Sequence, residues 1–238
     1  MVIALIGYGK MGHEIEAIAK EKGHVTGLII DQDNIPELNR DNLEKIDIAF
    51  EFTSPASAFG NIMTCLNNGV PVVTGSTGWL DRYDEAVAAC RKNDTAFIYA
   101  SNYSIGVNLF FMLNEQLARQ MERYSSYNVS LEEIHHIKKL DAPSGTAISL
   151  SEGITENHSR YNGWSPADKS FDDRIPVKSI REGSVPGTHI VKWDSEIDSI
   201  TLKHEAKNRK GFALGAVLAA EYIHNRKGVF TMKEVMGF

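Results

Sequence analysis

The sequence predicts an α/β protein: a doubly wound parallel sheet with an inserted α+β substrate domain built on an open mixed sheet. Two observations predict this class. Short apolar runs alternate with helical patterns from Val2 to Ala100, as expected for β-α-β units on a parallel sheet. After Asn102 the pattern changes to β-type runs joined by short Gly, Pro or charged turns, which favours an open mixed or antiparallel sheet.

The elements up to Ala100 follow from apolar spacing. Val2 to Ile6 is a short continuous apolar run that ends at Gly7, the pattern of a buried parallel strand. Residues 11–22 then place their apolar side chains at helical spacing. The further predicted elements are strands at 25–30 and 46–52, a helical stretch up to 67, a strand at 71–73, a helix at 80–91 and a strand at 96–100.

The rest of the chain predicts a second domain and a return to the first. The predicted elements are a helix at 107–124, a strand at 127–134, a helix at 146–154, an exposed loop at 157–173, strands at 175–180, 189–193 and 197–205, a helix at 212–224 and a last turn at 231–236. We therefore expect a dinucleotide-binding domain at 1–103 plus 208–238. A substrate-binding and oligomerisation domain is expected at 104–207.

Length and composition narrow the class of protein. With 238 residues, 42% of them hydrophobic, the chain can bury one large core or two small ones. The net charge of −6 does not favour a nucleic-acid partner, and no apolar stretch reaches the roughly 18 residues of a membrane span. Cys65 and Cys90 lack a metal-type spacing, and no signal-peptide pattern opens the chain. We expect reduced thiols and a cytoplasmic protein.

The motif Gly7-Tyr8-Gly9-Lys10-Met11-Gly12 fits the G-x-G-x-x-G pattern of a Rossmann-like dinucleotide site. It follows a predicted strand and opens a predicted helix. Gly7 permits the tight turn, Gly9 lets the backbone approach a pyrophosphate, and Gly12 lets helix and strand pack closely. The helix N-terminus adds unpaired N–H groups and a positive dipole end for the phosphates. The sequence therefore predicts that these six residues bind NADH or NADPH.

Asp31 ends the second predicted strand, where a carboxylate accepts hydrogen bonds from ribose hydroxyls. Its charge would repel a 2′-phosphate and favours NADH slightly, although Lys10 lies near enough in sequence to offset that repulsion. Polar or small residues also follow the other predicted strands, at the edge where such sheets bind ligands. Taken singly, each segment is also compatible with turn chemistry alone. The expected cofactor contacts are Phe52, Thr53, Gly75, Ser76, Thr77, Ala100, Ser101, Asn102 and Tyr103.

The run from Glu133 to Ala147 gathers two His and two Lys at a strand-to-loop transition, followed by Ser-Gly-Thr at the start of a helix. A carboxylate would bind at that helix N-terminus, through Gly145 and Thr146. Lys139 would add a point charge, and His135 or His136 could move a proton near neutral pH. Each pair taken alone is also compatible with a structural histidine or a solvated lysine. The remaining histidines are scattered, so we expect no metal site.

The sequence 135–147, His135-His136-x-x-Lys139-x-Asp141-Ala142-Pro143-Ser144-Gly145-Thr146-Ala147, closely resembles the signature of the 4-hydroxy-tetrahydrodipicolinate reductase family, long called dihydrodipicolinate reductases. The resemblance spans nearly the whole chain. It also includes the Gly-rich loop, residues 74–78, 102–108, 181–189 and 233–236, and His204 with Arg209.

The resemblance implies roles for these residues. His135 would be the acid/base residue, and Lys139 the proton donor or the charge that stabilises the intermediate. His136 would contact the substrate, and Gly145 with Thr146 would hold a carboxylate. The substrate would be the cyclic diacid 4-hydroxy-tetrahydrodipicolinate, reduced in the diaminopimelate route to lysine. The resemblance also implies a homotetramer assembled through the substrate-domain sheets.

Two other functions remain open from the sequence. Another Rossmann-type amino-acid dehydrogenase, acting on aspartate or diaminopimelate, would share the Gly-rich loop without needing His135, His136, Lys139 and the Ser-Gly-Thr set. A non-catalytic NAD(P)-sensing protein would keep the loop and lose the protonic residues. Two departures from the family pattern are a short segment between Asp31 and Ile46 and the extra cation Lys138.

Overall fold

The computed structural model describes residues 1–169, 171–208 and 210–238. It divides into two compact units, Met1–Ile105 with Arg209–Phe238, and Gly106–Asn208. The elements are β1 (Val2–Ile6), α1 (Lys10–Glu21), β2 (Val25–Ile30), α2 (Arg40–Leu43), β3 (Ile48–Glu51), α3 (Pro55–Asn67), β4 (Val72–Thr74), α4 (Tyr83–Lys92), β5 (Ala96–Tyr99), α5 (Ile105–Met121), β6 (Asn128–His135), α6 (Gly145–Thr155), β7 (Trp164–Pro166), β8 (Ile175–Arg181), β9 (Thr188–Asp194), β10 (Ser199–Glu205), α7 (Lys210–Ile223), β11 (Gly228–Phe230) and α8 (Met232–Met236).

The first unit is a six-stranded parallel sheet in the order β11-β5-β4-β3-β1-β2. Side chains alternate across each strand, so Ala4 and Ile6 enter one apolar layer while Ile3 and Leu5 enter the other. Helices α3 and α4 contribute to the first layer, and α1, α7 and α8 to the second. Both faces are therefore covered, which confirms the doubly wound class and explains the continuous apolar strands.

The second unit is a mixed sheet in the order β10-β9-β6-β8-β7. β6 pairs parallel with β8 and antiparallel with β9, and β10 adds an antiparallel edge. One face of this sheet packs against α5 and α6, around the fully buried Trp193. The inserted α+β part on an open mixed sheet is thus also confirmed.

The exposed loop predicted at 157–173 is wrong in part. Residues Trp164–Pro166 form β7, which pairs parallel with β8, and Tyr161 and His158 are buried against Trp193. The Gly, Ser and Pro residues of this segment are typical of a turn. The segment forms a strand because it pairs with β8, and this pairing cannot be read from local composition. The short edge strand β11 was also missed, because three residues are too few to show a strand periodicity.

Two element boundaries affect the functional region. β6 runs one residue further than predicted and ends at His135, so this side chain is fixed by the sheet. α6 begins at Gly145, with Ser144 as its N-cap. Within the described residues, none of the helices combines the length and the apolar character needed to cross a membrane.

Candidate active site

The turn between β1 and α1 has the backbone that a dinucleotide motif requires. Gly7 adopts φ +91°, and a Cβ there would lie 2.2 Å from the carbonyl oxygen of Phe52. A Cβ on Gly12 would lie 2.5 Å from the carbonyl oxygen of Gly7. Among the described atoms, nothing lies within 4 Å of a Cβ built on Gly9. The turn therefore leaves open space over Gly9 while α1 packs tightly beneath it, which fits a bound pyrophosphate.

A cavity of about 600 Å³ lies against this turn and the end of β2. Its volume is in the range of small-molecule sites. The predicted cofactor residues that line it are Gly7, Tyr8, Gly9, Asp31, Phe52 and Thr53. Asp31 is exposed, and its carboxylate accepts a hydrogen bond from the amide of Gln32 at 2.9 Å. The described residues that line the cavity include neither Lys nor Arg.

The other predicted cofactor residues do not line this cavity. These are Lys10, Met11, Gly12, Gly75, Ser76, Thr77, Ala100, Ser101, Asn102 and Tyr103. The segments after β4 and β5 lie at the carboxyl edge of the same sheet. The side chains of Ser76 and Tyr103 are buried, and Tyr103 Oη donates to the carbonyl oxygen of Thr74 at 2.8 Å. These two side chains hold the loops together.

Glu51, at the end of β3, is a buried carboxylate that the sequence analysis missed. It accepts hydrogen bonds from Thr74 Oγ1 at 2.5 Å, from Ser76 Oγ at 3.1 Å and from the Thr53 amide at 3.2 Å, and also binds the Thr53 hydroxyl. Glu51 therefore joins the loops after β3 and β4. The available sequence signal was an acid at the end of an otherwise apolar strand.

In the second unit, His135 lies in a buried cluster with Glu133 and His189. Glu133 and His189 are direct partners across β6 and β9. Glu133 Oε2 lies 3.5 Å from His135 Nδ1 and 3.8 Å from His189 Nε2, and the two imidazole rings are 5.0 Å apart, edge to face. In the sequence, His189 is one of several scattered histidines, because strand pairing and not sequence spacing brings it here.

Burial sets the charge states of this cluster. It lowers the pKa of His189 to about 3. It also lowers the pKa of His135, although the negative charge of Glu133 opposes that shift. Burial alone would raise the pKa of Glu133, but hydrogen bonds from Ser144, Ser179 and Arg181 hold it below its ordinary value. At neutral pH, two uncharged imidazoles therefore face an ionised carboxylate.

Lys139 lies in the loop that follows β6. Its Nζ forms an ion pair with Asp141 Oδ2 at 2.8 Å, and its amide donates to the carbonyl oxygen of His136 at 3.0 Å. Partial burial pushes the pKa of Asp141 upward, but its hydrogen bond and charge interaction with Lys139 bring the net pKa below the ordinary value. His136 is half-buried. The loop therefore carries the Lys139–Asp141 ion pair a few residues after the His136 imidazole.

The start of α6 is capped by Ser144. Ser144 Oγ accepts from the Ala147 amide at 3.3 Å and lies 3.2 Å from His189 Nε2. Gly145 is exposed, with nothing described within 4 Å of a Cβ there, and Thr146 is half-buried. The helix is 11 residues long, so its N-terminus carries a positive dipole end toward this exposed glycine.

Glu133, His135 and His189 bring their ligand-type atoms within 4.8 Å of one another, a residue set that suits zinc. Spacing in the sequence could not reveal this set. However, the same carboxylate already binds the Arg181 guanidinium and the Ser144 amide. The positive charge of Arg181 favours the hydrogen-bonded arrangement over a bound metal cation.

Arg209, part of the family resemblance, lies outside the described residues.

A doubly wound parallel sheet with a G-x-G-x-x-G turn after its first strand is typical of nicotinamide-dependent oxidoreductases. Residues 1–103 match the family described as dihydrodipicolinate reductase, N-terminus, and residues 106–236 match its C-terminus. The chain belongs to the dihydrodipicolinate reductase family.

Individual relatives agree with this assignment. The chain is 51% identical over 236 residues to a 4-hydroxy-tetrahydrodipicolinate reductase of Christiangramia forsetii, covering 99% of this chain and 98% of the relative. It is 33% identical over 201 residues to one of Methanococcoides burtonii, covering 81% and 74%. Among solved structures, a dipicolinate-bound dihydrodipicolinate reductase from Paenisporosarcina gives a TM-score of 0.80 at 25% identity, covering 98% and 99%.

Proposed function

We propose that this protein reduces 4-hydroxy-tetrahydrodipicolinate to tetrahydrodipicolinate with NADH or NADPH, in the diaminopimelate route to lysine. The observation that carries the proposal is His135 at the end of β6, followed by the loop of Lys139 and the N-terminus of α6, in a chain of this family. An amino-acid dehydrogenase would not need this set, and a nucleotide sensor would not need its protonic residues.

Bound reduced nicotinamide supplies the hydride in this chemistry. The Gly-rich turn would hold its pyrophosphate through main-chain amides, and Asp31 its ribose. The chain's own residues then have to bind a diacid ring and supply a proton. We assign Gly145 and Thr146 to a substrate carboxylate, because helix N-termini favour anions. His136 would contact the substrate.

The charge states favour Lys139 as the residue that delivers the proton. The lowered pKa of His135 leaves it uncharged at neutral pH, whereas Lys139 Nζ forms an ion pair with Asp141. Loss of water from the substrate gives a conjugated imine, and hydride addition places negative charge on the imine side. The Lys139 ammonium stabilises that charge and donates its proton there. His135 is the neighbouring acid/base residue.

The activity is tested by following NADH oxidation when the purified protein meets the condensation product of pyruvate and aspartate semialdehyde, made enzymatically. We expect NADH oxidation that depends on both precursors. Aspartate and diaminopimelate, offered with NAD, serve as the controls for the alternative dehydrogenases. Turnover of either amino acid without turnover of the condensation product would contradict the proposal.

We propose that NADH is the preferred cofactor. The support is the lining of the cavity at the Gly-rich turn, where Asp31 supplies a carboxylate and the described residues supply no cation for a 2′-phosphate. Lys10, which lies near enough in sequence to offset Asp31, is exposed at the start of α1 and does not line the cavity. Comparing kcat/KM for NADH and NADPH tests this, and Asp31→Asn should raise the NADPH value relative to NADH.

We also propose a cytoplasmic homotetramer in which residues 104–207 bind substrate and mediate assembly, and residues 1–103 with 208–238 bind the cofactor. Half-buried Ile134 and Ile180 are direct partners on one face of the mixed sheet, and this apolar contact supports assembly there. The buried free thiols Cys65 and Cys90 suit a reducing compartment. Light scattering during size-exclusion chromatography gives the assembly mass, and a monomer would contradict the proposal.

A further inference from the structure

We infer that the ion pair of buried Glu133 and half-buried Arg181 is a positioning device, which fixes both the loop that carries Lys139 and the N-terminus of α6. The inference rests on the proposed function, because it deepens the account of the same site. Neither residue is assigned contact with the reacting atoms. Each would act through the main chain of residues 139–144.

Arg181, the last residue of β8, binds this loop at two main-chain points. Its Nε donates to the carbonyl oxygen of Lys139 at 3.3 Å, and its Nη2 donates to the carbonyl oxygen of Asp141. The same Nη2 donates to Glu133 Oε1 at 3.1 Å. One guanidinium therefore connects β6 to both sides of the Lys139–Asp141 ion pair. A lysine in its place would keep the charge but lose the rigid fork of donors that makes these contacts together.

Glu133 fixes the other end of the loop. The amide of Ser144 donates to both of its carboxylate oxygens, at 3.1 and 3.0 Å. Ser144 is the N-cap of α6, so these bonds set where the helix begins and where Gly145 and Thr146 lie. Glu133 is fully buried, and a buried carboxylate is tolerated only when donors of this kind surround it.

The pair has a second effect, on the charge of His135. The charged or titratable groups that face His135 are Glu133 on its own strand, Lys139 and Asp141 from the loop, Arg181 from β8, and His189 from β9. Glu133 raises the pKa of His135, and the two cations lower it. Replacing Glu133 by Gln removes the anion 3.5 Å from His135 Nδ1 and so lowers that pKa further.

The neighbouring pair of Glu132 and Lys178 offers a matched control. It joins the same two strands one register position away, at 3.1 Å, but Lys178 is exposed and the pair links only β6 and β8. Glu132→Gln therefore removes a carboxylate from the same strand without touching the loop. The test compares Glu133→Gln, Arg181→Lys and Glu132→Gln with the parent enzyme.

The measurements are kcat and KM for the proposed substrate across pH, calorimetric Kd values for dipicolinate and NADH, and thermal unfolding. We expect Arg181→Lys to lose roughly 100-fold in kcat/KM, the effect of a small misplacement of catalytic groups. Dipicolinate should bind it more weakly, while the Kd for NADH stays unchanged. Glu133→Gln should show the same losses and, in addition, move the limb of the pH profile that reports His135 to lower pH. Glu132→Gln, whose side chain lies on the other face of the sheet, should match the parent in the dipicolinate Kd and in the pH limb that reports His135.

Parent-like kcat, KM, dipicolinate Kd and pH limb in both Glu133→Gln and Arg181→Lys, with only a lower unfolding temperature, would show a purely structural pair and overturn the inference. If one variant fails to fold, the other decides. Failure of the proposed function is distinguishable, because the parent enzyme would then not oxidise NADH with the substrate. The Kd values for dipicolinate would still test the positioning.

Discussion

The Gly-rich turn of the first unit is defined by its main chain, whereas the Lys139 loop of the second unit is defined by its charged side chains. The turn consists of main chain: its defining features are the φ of Gly7, the open space over Gly9 and the close approach at Gly12. The loop depends on charged side chains, with Lys139 paired to Asp141. A turn of fixed dipoles suits an anion that only has to be held, whereas charged side chains suit a reaction in which a proton moves.

The two buried glutamates repeat this contrast. Glu51 accepts hydrogen bonds from the uncharged groups of Thr53, Thr74 and Ser76, which tie two loops of the parallel sheet together. Glu133 binds the cation Arg181 and faces the imidazoles of His135 and His189. Glu51 thus holds two loops in place through hydrogen bonds. Glu133 also holds a loop in place, and its negative charge raises the pKa of His135.

Substitutions at Lys139 and His135 should have the largest effect, because they should reduce catalysis without weakening cofactor binding at the Gly-rich turn. We expect Lys139→Ala and His135→Gln each to lose about a thousandfold in kcat, the usual worth of a group that moves a proton. The Kd for NADH should remain nearly intact, because the cofactor would be held by the turn. Steady-state kinetics and calorimetric titration with NADH measure the two effects separately.

Lys138 provides the control for this prediction. It is the adjacent residue of the same loop and is exposed, so Lys138→Ala removes a similar charge without removing the Asp141 partner. Its kcat should be close to that of the parent. Equal losses in Lys138→Ala and Lys139→Ala would mean that the loop contributes only its overall charge.

The same contrast explains which features the sequence could predict. The alternation of apolar runs, the Gly-rich motif and Asp31 are local patterns, and the fold class followed from them. Glu133 and His189 were not recognised as one cluster, because β6 and β9 are brought together only by the sheet. Glu51 also ends an apolar strand, as Asp31 does, but its partners Thr74 and Ser76 lie on and after another strand, so its role needed the sheet. Chemistry between distant strands therefore needed the tertiary structure.

Glycine substitutions should sharpen the comparison with a smaller effect. Gly9→Ala should leave the fold intact, because its Cβ has space, but it would occupy the position over the amide where the pyrophosphate approaches. We expect the KM for NADH to rise about tenfold, equivalent to roughly 1.4 kcal/mol. Gly12→Ala should instead lower the free energy of unfolding by about 1–3 kcal/mol, since its Cβ would meet the Gly7 carbonyl. Parent-like NADH binding in Gly9→Ala would remove that residue from the cofactor site.

A last expected effect is a pH-dependent stability difference at His189. Its pKa is about 3 in the folded protein, against an ordinary value of 6.5, because burial disfavours the charged form. As the pH falls from 6.5 towards 3, the unfolded chain takes up this proton while the folded protein does not. The free energy of unfolding therefore falls, by at most about 1.4 kcal/mol per pH unit for this one group.

His189→Gln removes that proton uptake while keeping a polar group near Ser144 Oγ, which lies 3.2 Å from the parent's Nε2. The difference in the free energy of unfolding between the parent and the variant should be largest above pH 6.5. This difference should shrink as the pH falls towards 3. Urea unfolding at several pH values measures it, with His13→Gln, an exposed histidine on α1, as the control. A margin that stays constant with pH would mean that His189 can be protonated in the folded state, and that its ring is less enclosed by Glu133 and His135 than the structure indicates.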